Sequence, residues 1–551
     1  MSAAGIPRRR LVVITIGVMM ALLLAALDQT IVGTAMPRIV SELHGLDFYA
    51  WVITAYMVAS TTMTPIAGKL GDLFGRKPFL LGGMVGFVAS SALCGLSQNM
   101  GELVAFRTLQ GLFGGILFAT VFTVLADIFP PQVRARMQGL FGAVFGLASI
   151  LGPTAGGYIT DNWGWRWVFY VNLPVGILAV AIVASTMPFV RSRASWRDID
   201  FGGAFTLAAG LVPLLVALSI TRDHSWTSLP VVGLLVLAAA MLALFYVIER
   251  RDPHPIVPFG LFADRTFSVS VATGFLSGFG MFGTIVYVPL VFQGVLGVSA
   301  TNSGQLLTPM MLGLVVASTI AGQLMVRIPR YRFIGTAGLA LMIVGMWLLT
   351  QVGVATSEAV VVRDIVIVGL GLGLTFPVYI NAVQSALPVR VLGVATSQIQ
   401  FWRNVGGTVG TAVLGSILAR SLGPAIQAQV AGLKGVPPQV ASRLVKGGAN
   451  PQSFLDPTAI HAARAALPPS LQGVFDQVMH AVRVGLASSL EQVFVFGAAV
   501  LVLALVASVF LKDVPLRGRS GLGAVEAAAE AQAEPRTEAV PEDAGELAGA
   551  R

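Results

Sequence analysis

Fourteen apolar segments, each about as long as a membrane-spanning helix, dominate this chain of 551 residues. A helix needs roughly 20 consecutive apolar residues to cross the hydrocarbon core of a bilayer. Charged residues make up 11% of the chain, whereas a typical soluble domain carries about 25%. The sequence therefore predicts an all-α integral membrane protein with spans at 11–36, 48–70, 78–97, 102–127, 136–159, 166–188, 200–220, 228–248, 267–294, 303–326, 332–352, 360–386, 393–420 and 487–511.

The basic residues lie in the short joints between these segments and are distributed unequally. Alternate joints, counted from the N-terminus, carry 21 Lys and Arg residues, and the opposite short joints carry four. Because cytoplasmic loops of membrane proteins are enriched in Lys and Arg, this bias predicts that both termini are cytoplasmic. The net charge of +9 thus reflects membrane topology and does not indicate a nucleic-acid partner.

Two regions do not fit the pattern of spans. Residues 422–486 contain seven prolines and are too polar to span, so they are predicted to form a long loop on the outer side. Such a loop is either a tolerated insertion or a cap over an outer exit. Residues 516–551 are rich in Ala and Glu with few large apolar side chains, and they predict a disordered cytoplasmic tail.

Asp28 is an acid within the first apolar segment. A carboxylate near the centre of a membrane helix costs roughly 2.5–3.5 kcal/mol on insertion scales, so its presence indicates a function. The alternative is that Asp28 has only a structural role, as a carboxylic acid hydrogen-bonded to a neighbouring helix. Arg107 lies five residues inside the fourth predicted span, where it either extends to the outer interface or faces Asp28. A cation beside Asp28 would favour its ionised form.

The joint between the second and third spans reads G-K-L-G-D-L-F-G-R-K-P-F-L at residues 68–80. Glycine allows close approach of two helices and tight turns, because it has no side chain. The charged residues of this joint are either functional partners or ordinary interfacial charges. The charged residues are Asp72, Arg76 and Lys77, and the glycines beside them are Gly68 and Gly75. Asp127 is expected at the same membrane level as these charges.

The fifth span carries small residues at intervals of three and four, which places them on one helical face. Such a face permits close helix–helix contact in lipid, and a Gly–Pro step permits a bend. We expect this face to pack against a second small-residue face in the tenth span, which is formed by Gly313, Ala317 and Ala321. The residues singled out in the fifth span are Gly146, Gly152, Pro153, Gly156 and Gly157.

Several polar side chains fall within the later spans. Arg403 in the thirteenth span is expected to face the interior of the bundle, where it binds an anion, pairs with a distant acid or holds backbone carbonyls. Four amides either line a polar cavity or join helices by hydrogen bonds; they are Gln293, Gln305, Asn381 and Gln384.

Four segments of the chain carry a family resemblance. They are the joint at 68–80, L-D-Q-T-I-V-G-T-A-M-P at 27–37, L-G-P-T-A-G-G at 151–157 and W-R-W-V-F-Y-V-N-L-P at 165–174. Over residues 11–511 the chain resembles the major facilitator superfamily, and within it the fourteen-helix drug–proton antiporters of the EmrB/QacA type. Leu73 stands where that family usually has a basic residue, and Ala148 where it usually has a glycine.

The resemblance implies an architecture of two six-helix bundles plus two extra helices. On this basis we expect a cytoplasmic N-terminus at 1–10, an N-terminal bundle at 11–190, the extra pair at 191–252, and a C-terminal bundle at 253–515 that includes the outer loop. The resemblance further implies that the 68–80 joint latches the two bundles on the cytoplasmic side, that Asp28 and Arg107 couple transport to protons, and that the fifth span carries an antiporter motif.

The expected function is efflux of lipophilic compounds, including cationic drugs, by proton antiport across a bacterial inner membrane. The expected partners are the small substrate, protons and the lipid bilayer, with the protein acting as a monomer. No P-loop or histidine metal spacing is present, so we expect neither an enzyme nor a cofactor beyond the proton gradient. One alternative keeps the fold but exports a lipid, siderophore or self-made antibiotic. A second is a transport-inactive sensor or assembly partner.

Overall fold

A computed structural model describes residues 7–43, 48–129, 131–189, 195, 198–221, 224–298, 306–328, 330–388, 391–433 and 464–512. The described chain forms long helices in the order α1 Arg8–Leu43, α2 Tyr49–Phe74, α3 Arg76–Leu96, α4 Met100–Ile128, α5 Pro131–Trp163, α6 Arg166–Thr186, α7 Phe201–Ile220, α8 Leu229–Glu249, α9 Arg265–Leu290, α10 Thr308–Arg327, α11 Arg332–Leu349, α12 Glu358–Ala386, α13 Leu392–Ala431 and α14 Pro469–Val509. A single turn at Val171 interrupts α6, and a π-helical turn, Val291–Val295, continues α9.

Each of the fourteen predicted spans coincides with one of these helices. Thirteen helices of the described chain are long and apolar enough to cross a membrane, and α2 is not among them. That helix is 26 residues long, and it carries buried Ser60, Thr61, Thr62 and Thr64. The all-α membrane fold is therefore confirmed, and the count of fourteen crossings stays a prediction.

The helices pack as two groups of six with one further pair. In the first group α4 packs on α2 and α3, and α1 packs on α5 and α6. In the second group α12 packs on α10 and α11, and α13 packs on α9 and α14. The pair α7–α8 lies beside them, with α7 against α2 and α13. The two groups meet along α5–α10 and α2–α13.

The two groups share a buried apolar cluster at one end of the described bundle. We call this the basic end, because α1 begins there and the Lys/Arg-rich joints lie there. At this end Phe122 and Phe141 of the first group join Ile380 and Val383 of α12 in one buried cluster. At the opposite end, the buried cluster that includes Trp165 draws only on helices of the first group. Apolar burial therefore ties the two groups together at the basic end.

The predicted loop at 422–486 is shorter than expected, because both flanking helices extend into it. Helix α13 continues through Pro424 to Ala431, and α14 begins at Pro469. Proline is tolerated at the first position of a helix, where its missing N–H has no intrahelical partner, so Pro469 starts α14 rather than breaking it. Residues 434–463 and the predicted tail at 516–551 lie outside the described chain.

Candidate functional site

Asp28 and Arg107 form a buried ion pair between α1 and α4. The Arg107 Nη1 atom lies 2.5 Å from the Asp28 Oδ2 atom. The side chain of Asp28 is 0% exposed and that of Arg107 is 2% exposed. Arg107 therefore faces Asp28 and does not extend to the interface, which is one of the two alternatives that the sequence leaves open.

Two amides complete the environment of the Asp28 carboxylate. Gln110 Nε2 and Asn172 Nδ2 donate to its Oδ1 atom at 2.9 and 3.2 Å. Arg107 Nη1 also donates to Gln110 Oε1 at 2.7 Å, and Asn172 also donates to Ser91 Oγ at 3.1 Å. Three helices, α1, α4 and α6, therefore meet at one carboxylate that accepts from three donors, and α3 contacts this network through Ser91.

The Arg107 guanidinium is held from a further side by α2. Its Nε atom donates to the carbonyl of Val52 at 3.3 Å, and its central carbon lies 4.3 Å from the centre of the Tyr56 ring. A cation over an aromatic face is stabilised by the ring quadrupole. The side chain of Arg107 is therefore fixed in position, and a change in the charge of Asp28 would act directly on it.

Sequence reasoning missed Gln110 and Asn172. Gln110 follows Arg107 by three residues, and this spacing places both side chains on one helical face, so the signal was present. Asn172 lies within the motif at 165–174, but nothing local in the sequence shows that it faces Asp28, which is 144 residues away in the chain.

The latch residues meet at the basic end. Arg76 Nε donates to Asp127 Oδ2 at 3.0 Å, and Arg76 Nη2 also pairs with Asp72. Asp72 in turn accepts from the backbone N–H groups of Gly393 and Val394, at 3.1 and 2.8 Å, in the first turn of α13. A carboxylate at a helix N-terminus satisfies otherwise unpaired N–H groups and is favoured by the helix dipole. Asp72 thus connects the first helix group to the second.

Two glycines permit this contact. A Cβ atom on Gly68 would lie 2.1 Å from the Oγ atom of Ser397 on α13, so only glycine allows α2 to approach so closely. Gly75, between α2 and α3, has a φ of 93°, which side-chain-bearing residues rarely adopt. Lys77, by contrast, donates to the carbonyls of Ala184 and Met187 at the end of α6. The structure therefore does not bring Lys77 into the latch.

Asn381 and Gln384 join the two groups by hydrogen bonds, which is one of the two predicted alternatives. Asn381 Nδ2 donates to Gln138 Oε1 at 2.6 Å, and Gln138 Nε2 donates to Gln384 Oε1 at 3.1 Å. Arg134 Nη1 adds a hydrogen bond to the backbone carbonyl of Gln384. These α5–α12 contacts are buried and lie at the basic end, where they add to the contacts between Asp72 and α13.

The other residues predicted to line a cavity lie apart. Gln293 lies in the π-helical turn after α9, at the end opposite Asn381 and Gln384. Gln305 lies outside the described residues. Arg403 is 4% exposed on α13, and its surroundings are considered below.

The small-residue face of α5 serves two partners. A Cβ on Gly146 would lie 2.0 Å from Val315 on α10, whereas on Gly152 and Gly156 it would lie 2.0 and 2.3 Å from threonine hydroxyls of α1. Pro153 lies inside the same helix. A Cβ on Gly157 would contact no described residue within 4 Å.

The prediction that Gly313, Ala317 and Ala321 of α10 pack against the small-residue face of α5 is wrong. A Cβ on Gly313 would lie 3.2 Å from the carbonyl of Val366 on α12, and Ala317 faces Gly373 on the same helix. The residues that meet the α5 glycines are Met311, Val315, Ser318 and Thr319. The spacing showed a flat face on α10 but not which neighbour it would meet.

The α1 helix also bonds to α5 near the proline. Thr30, two residues after Asp28, donates from its hydroxyl to the backbone carbonyl of Ala148 at 3.1 Å. The same hydroxyl fills the space beside Gly152. The helix that carries the buried carboxylate is therefore in direct contact with the bend-prone part of α5.

A family model described as the Major Facilitator Superfamily matches residues 18–411. The chain is 40% identical over 525 residues to the Multidrug transporter protein MdtP of Bacillus subtilis (strain 168), which covers 94% of this chain and 96% of that relative. It is 35% identical over 503 residues to Multidrug resistance protein 3 of the same organism, covering 90% and 94%. The human organic anion transporter MFSD10 (TETRAN) matches with a TM-score of 0.53 over 90% of this chain and 99% of that chain, and at 13% identity this likeness shows the fold alone.

Proposed function

Because the chain belongs to the major facilitator superfamily and is a multi-pass membrane transporter, we propose that it exports lipophilic compounds in exchange for protons. Export of drugs is supported by the names of the two Bacillus relatives, a multidrug transporter and a multidrug resistance protein. We place the protein in a bacterial inner membrane, as a monomer with both termini in the cytoplasm.

The observation that carries proton coupling is the buried carboxylate of Asp28 with its three donors. In the arrangement described, the negative carboxylate neutralises Arg107. A proton on Asp28 would remove the negative charge, so the buried guanidinium of Arg107 would no longer be neutralised. The guanidinium would then form hydrogen bonds with other acceptors. Since α1 also bonds to α5 through Thr30, the rearrangement would reach the helix that packs against the second group.

The latch supports a state that is closed towards the cytoplasm. The charges of Asp72, Arg76 and Asp127 and the buried amides of α12 join the two groups at the basic end. Cargo released from such a state leaves to the outside, after which a proton on Asp28 is carried inward. One charge moving through 100 mV supplies roughly 2.3 kcal/mol, which supports about a fifty-fold gradient of cargo.

The experiment that tests proton coupling uses inverted membrane vesicles and a panel of fluorescent lipophilic dyes. Adding a transported dye to vesicles with the wild-type protein should release protons from the lumen. Asp28→Asn should abolish this release, and the control Asp161→Asn, an exposed acid at the opposite end, should keep it. Unaltered dye-induced proton release in Asp28→Asn vesicles would refute the role of this carboxylate.

The same vesicles separate the alternatives. Movement of extracted lipids without movement of any dye would favour a lipid exporter of the same fold. Proteoliposomes that move neither dyes nor lipids would favour a transport-inactive sensor.

A further inference from the structure

Arg403 is a cation buried deep in the second helix group. It lies on α13 about 16 Å along the helix axis from Leu392, counting 1.5 Å per residue. The residue is 4% exposed. Its backbone packs against α9, where a Cβ on Gly278 would lie 2.2 Å from the Arg403 carbonyl oxygen. Close backbone packing therefore holds this part of α13 in place.

The guanidinium of Arg403 has no acid partner among the described residues, in contrast to Arg76 and Arg107. Its Nη1 atom donates to Gln400 Oε1 at 2.9 Å, and its central carbon lies 4.3 Å from the centre of the Phe376 ring. The buried Nε atom has no hydrogen-bond acceptor in the part of the chain that the structure describes. Neither contact neutralises the charge, and an uncompensated buried charge is costly.

Arg403 is therefore a buried cation whose charge no described acid balances. The charges of Asp28 and Arg107, by contrast, compensate each other at 2.5 Å. A guanidinium offers parallel N–H groups whose geometry matches a carboxylate. The missing partner of Arg403 is thus best supplied by an anionic group that enters from outside the chain.

The surroundings of Arg403 reach the seam between the two helix groups. Phe376 and Gln400 are only partly buried, and the Phe376 ring packs 6.0 Å from that of Phe122 on α4. Thr396, seven residues before Arg403 and thus on the same face of α13, contacts the buried amide of Gln384. Arg403 therefore lies further from the basic end than the closed cross-group contacts.

We infer that Arg403 binds the carboxylate of lipophilic acids, with the apolar body of the ligand packed beside Phe376. This inference rests on the proposed export function and defines its substrate class, since it favours acidic cargo over cationic cargo. The guanidinium N–H groups donate to the carboxylate oxygens, and Gln400 keeps the guanidinium in position.

The test measures equilibrium binding to the full chain in lipid nanodiscs, without a proton gradient. The probes are 1-pyrenebutyrate and its uncharged amide, corrected for binding to empty nanodiscs. The wild-type protein should bind the carboxylate at least about tenfold more tightly than the amide, the factor expected for one charge-assisted hydrogen bond. Arg403→Gln should remove this preference while keeping affinity for the amide, and Arg403→Lys should keep part of it. Arg420→Gln, at an exposed position of the same helix, should keep all of it.

Equal binding of both probes by the wild-type protein would overturn the inference, as would a carboxylate preference that survives in Arg403→Gln. If Arg403→Gln does not fold, the wild-type preference and its reduction in Arg403→Lys decide the question. Because the measurement uses no gradient, a failure of proton coupling at Asp28 would leave this result standing.

Discussion

The buried pair of Asp28 and Arg107 should show strong energetic coupling in a double-mutant cycle. Removing one partner of a buried ion pair costs about 3–5 kcal/mol, because the other charge is left without compensation. In Asp28→Asn, the new amide must point its NH2 group either at Arg107 or at the amide donors of Gln110 and Asn172, since all three neighbours donate to the native carboxylate. We therefore expect each single substitution, Asp28→Asn and Arg107→Gln, to cost about 3 kcal/mol of the free energy of unfolding.

The double substitution removes both charges at once and leaves neutral amides at the same depth. Its cost should fall short of the sum of the two single costs by about 2 kcal/mol or more. A typical hydrogen bond between membrane helices contributes about 0.6 kcal/mol in such cycles, so a coupling of this size is specific to the ion pair. The assay is reversible SDS-induced unfolding in mixed micelles, followed by tryptophan fluorescence.

The exposed pair Arg38–Glu42 provides the matched control. Its side chains are 63% and 36% exposed at a separation of 2.7 Å. Exposed pairs are screened by water, so the cycle Arg38→Gln with Glu42→Gln should give at most about 0.5 kcal/mol. If the Asp28 and Arg107 substitutions were additive within the same margin, the electrostatic account of the network would be wrong.

Three further outcomes are expected. Gly68→Ala should loosen the α2–α13 contact and speed amide hydrogen exchange over residues 391–400, whereas Gly82→Ala, whose Cβ meets nothing within 4 Å, should not. Asp72→Asn should speed exchange over the same residues about tenfold, because the backbone N–H groups at the start of α13 lose a charged acceptor; unchanged exchange would show that the latch does not hold α13. Burial raises the pKa of Asp200, the N-cap of α7. The folded state thus holds this proton more tightly than the unfolded state, and the stability falls as pH rises from the ordinary pKa of the carboxyl to the raised pKa of the folded state. Asp200→Asn should therefore gain stability relative to the wild type between pH 4 and pH 7, and a constant difference over that range would contradict the assignment.

The choice between the two roles of the buried amides illustrates where sequence reasoning ends. The sequence places Asn381 and Gln384 within an apolar span and leaves both cavity lining and helix–helix hydrogen bonding open. Their partner Gln138 is 243 residues away from Asn381 in the chain. Which of two polar helices turns towards the other depends on the packing of every helix between them, so no local pattern decides it.

The sequence alone determined that the chain is a bundle of membrane helices, where each helix lies along the chain, and that Asp28 needs a partner. These follow from the cost of exposing polar groups to hydrocarbon, which acts on each segment separately. Only the tertiary structure decided that Gln110 and Asn172 complete the carboxylate site, that Asp72 bonds to the start of α13, and that Arg403 has no acid partner among the described residues. Those outcomes depend on the rotation and tilt of helices relative to one another, which are set by packing across the whole bundle.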